Sequence, residues 1–372
     1  MWKKAIFGIV LTLLALRAAE ASEGICFALS QNGPALCPTD AARRRSVPNP
    51  VTLPTLDIET IEYKDGAGDA PINTPDVYAW IDDYTPIYRH PAEANTGLPP
   101  VRVSDPGFTY VSMVGEVWYE GEHWYQINIH SVRNAERADE FVHEDYVHLI
   151  RPSTFGGVYL ALQPGVSFAW MLRNVRPSSI PGELADPDYP RLNRYDRVNI
   201  YGVERVDRFN WYLIGANQWI KQTYLGIVDV SPRPAGVEPG EKWIEIDLYE
   251  QTLAAYQGDR MVYATLVSSG LPRWETRRGL FRIWEKVLVA KMSGSEGRSD
   301  YYYLEDVPWT MYFDNDIGLH AAYWHDGFGY RHSHGCVNLP PLSAQWLFRW
   351  TDPYVPEGVN RLGVTGTWVW VH

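Results

Sequence analysis

The sequence predicts a mainly β protein, two small β-barrel modules followed by a larger β-rich domain with one or two short helices. Short alternating apolar runs broken by Gly, Pro and Asn turns fill the middle of the chain, and an aromatic rhythm occurs there twice. A Pro/Gly stretch at 231–240 then separates these runs from a segment of strict strand alternation. The length of 372 residues fits two or three domains at roughly 150 residues each. Hydrophobic residues make up 45% and charged residues 21%, with 16 Trp, 24 Tyr and 11 Phe, which is globular composition. The formal net charge of −12 leaves no basic face for a polyanion, so nucleic acid is not an expected partner.

Lys3 and Lys4 precede an apolar run from Ala5 to Leu16, and Ala19-Glu20-Ala21 supplies a small-x-small cleavage pattern. Residues 1–21 therefore read as a signal peptide. The run is shorter than the roughly 20 residues a spanning helix needs, and no second candidate follows, so no stable membrane span is expected after cleavage. The mature protein is expected outside the cytoplasm, in the periplasm, the cell wall or secreted. Residues 22–75 read as a Pro-rich arm. Cys26 and Cys37 lie close together in a Gly/Pro-containing stretch and are expected to pair in an oxidising compartment, leaving Cys336 free.

Residues 76–152 and 153–230 are the expected barrel modules. The first carries Tyr78-Ala79-Trp80 and later Trp124-Tyr125; the second carries Phe168-Ala169-Trp170 and later Trp211-Tyr212. The two Trp spacings, 44 and 41 residues, are close enough for an internal duplication. Their rhythm resembles tandem bacterial Src-homology-3-like modules, which implies binding to cell-wall material. Most of these Trp and Tyr residues are expected to fill two small cores.

After the linker at 231–240, the final domain spans 241–372. Trp243 to Tyr249 alternates strictly and places Ile244, Ile246 and Leu248 on one strand face. Turn signals at Glu250-Gln251-Thr252 and Gln257-Gly258-Asp259 bracket a second strand, and Arg260 to Val267 starts a third, so a meander opens the domain. Pro340-Pro341 starts a helix whose apolar stripe is Leu342, Trp346, Leu347 and Trp350. Thr365 to Val371 reads as a last strand. The Gly/Ser-rich segment from Lys291 to Ser299 is a candidate lid.

The chemistry concentrates between Gly318 and Asn338, where His320, His325, His332, His334 and Cys336 fall together. A thiol attacks a carbonyl as its thiolate, and an imidazole takes the proton; His320 or His334 fits that role. Gly335 lets the backbone approach closely, so amides beside Cys336 can face a developing oxyanion. A zinc reading is also open, with His332, His334 and Cys336 at alternate positions on one strand face, although it lacks a fourth ligand. Thiol acyl transfer accounts for more of the residues, and neither a metal nor a cofactor is expected.

His320, twelve intervening residues and then Ser333-His334-Gly335-Cys336-Val337-Asn338 resemble the signature of the YkuD-type L,D-transpeptidase catalytic domain. The resemblance covers about Lys242 to His372, with Thr276-Arg277-Arg278-Gly279 standing where relatives commonly have Thr-Pro-x-Gly. It implies that Cys336 is the nucleophile and His320 its base, oriented by the Ala321 carbonyl, with amides near His334, Gly335 and Cys336 as the oxyanion hole. Ser333 and Asn338 are expected to fix the loop, and Tyr312, Tyr323, Trp324 and Arg331 to contact substrate. The implied partners are peptidoglycan stem peptides and the cell wall, with D-alanine released from a tetrapeptide stem and a 3-3 cross-link formed. Water in place of the acceptor amine gives carboxypeptidase activity. A wall hydrolase of the NlpC type would place its cysteine before its histidine, the reverse of the order here. A wall-binding protein with an inactive domain is disfavoured by intact His320 and Cys336.

Overall fold

A computed structural model describes residues 27–28, 35–36, 77–129 and 138–372. The expected signal peptide, nearly all of the expected arm and the expected Cys26 to Cys37 bridge lie outside the described residues, and Cys336 is a free thiol among those described. The chain is mainly β, and its described residues from 77 onward divide into two units, one within 77–164 and 230–372, the other of 165–229.

The larger unit begins with β1 (Val77–Ile81), β2 (Phe108–Tyr119), β3 (Glu122–Ile129), β4 (Ala138–His143) and β5 (Val147–Ile150). A short helix, α1 (Ala92–Asn95), lies between β1 and β2. These strands pair in the order β4-β3-β2-β1-β5, and alternate residues Ala79, Ile81, Val111, Met113 and Ile127 form a small core. Among the described residues no closed barrel forms here. The start of β2 continues the sheet outward by pairing in parallel with a strand of the C-terminal region, Phe108 to Tyr110 beside Tyr302 to Leu304.

Residues just past the expected module boundary also belong to a sheet of the C-terminal region. The short β6 (Val158–Tyr159) pairs with β15 (Arg260–Leu266). Gly157 permits the approach, because a Cβ there would lie 2.2 Å from the Ala264 carbonyl oxygen.

In the second unit, β7 (Phe168–Met171) pairs with β8 (Arg197–Asn199) and β12 (Leu225–Val228), while β9 (Gly202–Val206), β10 (Phe209–Gly215) and β11 (Gln218–Lys221) form a separate meander. Ala169, Met171, Ile220, Leu225 and Ile227 bury their side chains in its core. The strands remain two three-stranded sheets, so this module too is no closed barrel.

The C-terminal region opens with the expected meander: β13 (Lys242–Asp247), β14 (Thr252–Gln257) and β15, with positive φ at both turn residues, Gln251 and Gly258. Strand β22 (Trp368–Val371) enters parallel to β13 and antiparallel to β16 (Gly279–Arg282), completing the order β6-β15-β14-β13-β22-β16. Ile244, Ile246 and Leu248 are buried as alternation predicts, but Trp243 and Glu245 are buried too, so β13 is covered on both faces.

The other sheet is organised about β18 (Tyr302–Asp314), which pairs along its length with β17 (Glu285–Gly294) and at its end with β19 (Ile317–Ala321). β19 in turn pairs in parallel with β20 (Val337–Leu339), and β21 (Arg361–Gly363) pairs with β17. Both sheets contribute to one core, including Ile246, Val262, Met311, Leu319, Val337 and Val369. The candidate lid is largely a hairpin: Lys291 to Gly294 lie on β17, with Gly294 opposite Tyr302 on β18.

Helix α2 (Pro341–Trp350) starts at the expected proline. Its buried positions are Ser343, Ala344, Leu347 and Phe348, whereas Leu342 is 53% exposed. The small Ser343 and Ala344 let the helix sit close, with the Ser343 hydroxyl among Tyr263, Thr265 and the Gly157 amide, while Trp346 lies flat on Tyr263.

Candidate active site

The register of two short strands brings the site together. His320 lies opposite Asn338 on the parallel pair β19 and β20, and Cys336 immediately precedes β20. Continuing the register by one residue sets Cys336 beside Gly318. Cys336 thus lies next to the strand that carries His320, and the N–H of Gly318, two residues before His320, acts on its thiol.

His320 is buried and its Nδ1 is 3.2 Å from the Ala321 carbonyl oxygen. Only a protonated Nδ1 can donate to a carbonyl, so in the neutral ring Nε2 carries the lone pair. Burial lowers the His320 pKa to about 4 against a smaller upward effect of that hydrogen bond. Burial also raises the Cys336 thiol to about 11, with the Gly318 N–H acting in the opposite direction and Asp316 raising it further. The thiol is partly exposed, and its Sγ lies 3.7 Å from the Asp316 carbonyl oxygen. At neutral pH the two groups are therefore a thiol and a neutral imidazole.

The turn before Cys336 is held from several sides. Gly335 has φ +123°, and a Cβ there would meet Ile317 at 2.6 Å, so glycine is required for both conformation and space. The Ser333 hydroxyl donates to the Cys336 carbonyl and accepts from the Gly335 N–H at 3.0 Å. Thr276, buried on the neighbouring loop, donates its hydroxyl to the Gly335 carbonyl at 2.8 Å and accepts from the Gly270 N–H at 3.0 Å. Gly270 is itself confined, with a hypothetical Cβ 3.0 Å from the Gly335 Cα. Where proline was expected after Thr276, Arg277 forms a bidentate pair with Asp314.

Asn338 exchanges both backbone bonds with Ser268, and its carboxamide Nδ2 atom lies 2.9 Å from Nε2 of His325. His325 also stacks on His332, with ring centres 4.7 Å apart. His334 sits between Trp274 at 3.7 Å and Tyr302 at 4.9 Å. Residues 332 to 336 are not a strand, and His332 and His334 engage different aromatic neighbours. The shared strand face on which the zinc reading depended is absent, and no three metal-ligating side chains converge among the described residues.

The four expected substrate residues fall in different surroundings. Tyr312 is partly buried beside the thiol, with its phenol raised to about 12 by burial first and by Cys336 next. Trp324 packs 5.7 Å from the His320 ring. Tyr323 is 2% exposed and gives its hydroxyl to the Glu305 carbonyl, so it serves as a buried support. Arg331 donates to the Leu248 carbonyl at 3.2 Å and pairs with Glu275, which ties it to the scaffold. Two participants were not singled out from sequence. Tyr302 has the same phenol shift as Tyr312, with Cys336 again among its causes, and Thr276 locks the Gly335 turn. Their signal lay only in Tyr301-Tyr302-Tyr303 and in a threonine within a departed motif.

Solved structures provide three comparisons. The chain is 28% identical to the catalytic domain of the E. faecium L,D-transpeptidase, over 37% of this chain and 100% of that one, with a TM-score of 0.29. An L,D-transpeptidase from Xylanimonas cellulosilytica is 25% identical over 38% and 65% of the two chains, TM-score 0.27. One from Mycobacterium smegmatis is 14% identical over 72% and 94%, TM-score 0.31. No curated protein matches the sequence. The family model YkuD, L,D-transpeptidase catalytic domain, matches residues 241–371.

Proposed function

We propose that the chain is an exported peptidoglycan L,D-transpeptidase in which Cys336 is the nucleophile and His320 its general base. The observation that supports this most is the neutral imidazole whose Nδ1 is committed to Ala321, leaving Nε2 as acceptor on the strand whose Gly318 N–H meets the Cys336 thiol. The Cys336 Sγ attacks the carbonyl carbon at the L-centre of diaminopimelate in a tetrapeptide stem, and its proton passes to His320 Nε2. Because the Gly335 N–H is engaged by Ser333, the tetrahedral oxyanion falls to the amides of Cys336 and His334. Collapse breaks the C–N bond, His320 returns the proton to the leaving amine of D-alanine, and a thioester remains. An amine of a second stem then attacks, losing its proton to His320, and the thiolate leaves and is reprotonated. Water in the second step gives carboxypeptidase activity instead.

The substrate is a soluble disaccharide tetrapeptide, and mass spectrometry is the test. The expected products are D-alanine and a 3-3 dimer, both lost in Cys336→Ala. Turnover that survives in that variant, or none in the unaltered protein, overturns the proposal.

A further inference from the structure

The sheet that precedes the catalytic region reaches the catalytic histidine through stacked rings. Strand β2 is held by its parallel pairing to β18, with Tyr110 opposite both Leu304 and Trp80, and the Phe108 N–H donating to the Tyr301 carbonyl at 3.1 Å. From that position the Tyr110 ring lies 6.5 Å from Trp324 and 6.4 Å from Tyr323. Tyr78, on β1, stacks on Tyr323 with ring centres 3.7 Å apart and a 16° interplanar angle. Tyr323 meets Trp324 edge-on at 5.0 Å, and Trp324 lies against His320. Buried Tyr78, Leu304, Val307 and Tyr323 form one apolar cluster, with Tyr110, Trp324 and Tyr302 packed on it. Strands β1 and β2 therefore share a core with β18, and Trp324 links that core to the His320 ring.

We propose that Tyr78 and Tyr110 are positioning residues for His320, acting through Tyr323 and Trp324 to hold the ring dry and in one orientation. The inference rests on the proposed acyl transfer for its kinetic consequence, though not for its physical one. A plain structural role would be satisfied by any apolar filler, whereas positioning by ring contact needs an aromatic plane at each step. The titratable groups about this assembly are Tyr78, Tyr110, Glu305 and Asp306 acting on Tyr323, His325 with its ring 6.0 Å from Trp324, and Cys336 acting on Tyr302. Asp306 accepts from the Ser112 hydroxyl of β2, which adds a polar tie across the same boundary.

The test uses the full chain with Tyr78→Leu, Tyr110→Leu, Tyr78→Phe and Tyr110→Phe, each first compared with the unaltered protein by thermal unfolding. Two readouts follow: kcat and KM on disaccharide tetrapeptide, and the pH titration of the His320 ring by NMR. In the leucine variants the expected results are a kcat at least tenfold lower with KM little changed, and a His320 titration moved toward the ordinary histidine range as water reaches the ring. The phenylalanine variants are expected to restore both. Leucine variants that remain folded with an unmoved His320 titration overturn the inference, as does a loss in the phenylalanine variants equal to that in the leucine ones. Unaltered protein without turnover sinks the functional reading alone, because the titration needs no substrate. Should the leucine variants fail to fold, Trp324→Leu and Trp324→Phe answer the same question one ring nearer His320.

Discussion

At the residue scale, the neutral pair has pH consequences of definite sign. Above about 4 the His320 imidazole is unprotonated and able to accept, and below about 11 the thiol keeps its proton until attack. The rate of acylation is therefore expected to stay level through the neutral range and to fall in acid as His320 takes a proton, which a kcat/KM profile measures. Stability follows the same residue. An unfolded histidine titrates near 6.5, so between about 6.5 and 4 the unfolded chain binds a proton that the folded one does not, and stability falls with falling pH, by up to about 3 kcal/mol. Urea unfolding of His320→Asn at pH 7 and pH 4.5 is expected to show most of that slope gone; an unchanged slope rejects the assignment. Thr276→Val leaves the Gly335 carbonyl and Gly270 N–H without their shared partner, a loss of about 1 to 3 kcal/mol by denaturant midpoint together with reduced turnover. Ser333, Gly335 and Cys336 could be singled out from sequence because contiguous positions carry them, and His320 because it precedes them by a short spacer. Thr276 and Tyr302 were not, since each reaches the site from a segment far away in sequence.

At the element scale, strands were easier to read than faces. The turns at Gln251 and Gly258 delimit the meander as the punctuation predicts, because positive φ confines the residue types that fit. Of the expected α2 stripe, Leu347 is buried and Trp346 and Trp350 pack on the core, but at its start burial goes to the small Ser343 and Ala344, with Ser343 against Tyr263, rather than to the large Leu342. Nor did periodicity reveal what ends that helix. Lys286, fully buried on β17, donates from Nζ to the carbonyls of Phe348, Thr351 and Pro353 at 2.6, 2.8 and 2.9 Å. Burial presses its pKa down to about 7, with Asp352 acting in the opposite direction and Lys242 lowering it further. Lys286→Met removes all three donors and is expected to cost about 2 to 4 kcal/mol, read from the denaturant midpoint. A shift below about 0.5 kcal/mol means water satisfies those carbonyls unaided.

At the scale of the whole molecule, domain borders drawn from composition miss what strand pairing joins. The Pro/Gly stretch at 231–240 reads as a clean division, yet residues 77–164 lie within the same compact unit as the catalytic region, through β2 on β18 and β6 on β15. Parallel pairing between segments nearly two hundred residues apart leaves no local signal, and for that reason two independent barrels were expected. Removing residues 76–164 is accordingly expected to expose Leu304, Val307 and Tyr323 and to abolish soluble-substrate turnover; a fragment 230–372 with full turnover contradicts the shared core. The central chemical claim is tested most directly by quenching the full-length protein during its first turnover on disaccharide tetrapeptide and measuring its intact mass and peptide map. The expected result is one acyl group on Cys336 with one equivalent of D-alanine released. D-alanine released with no adduct on Cys336 at any quench time, or an adduct on another residue, would contradict it.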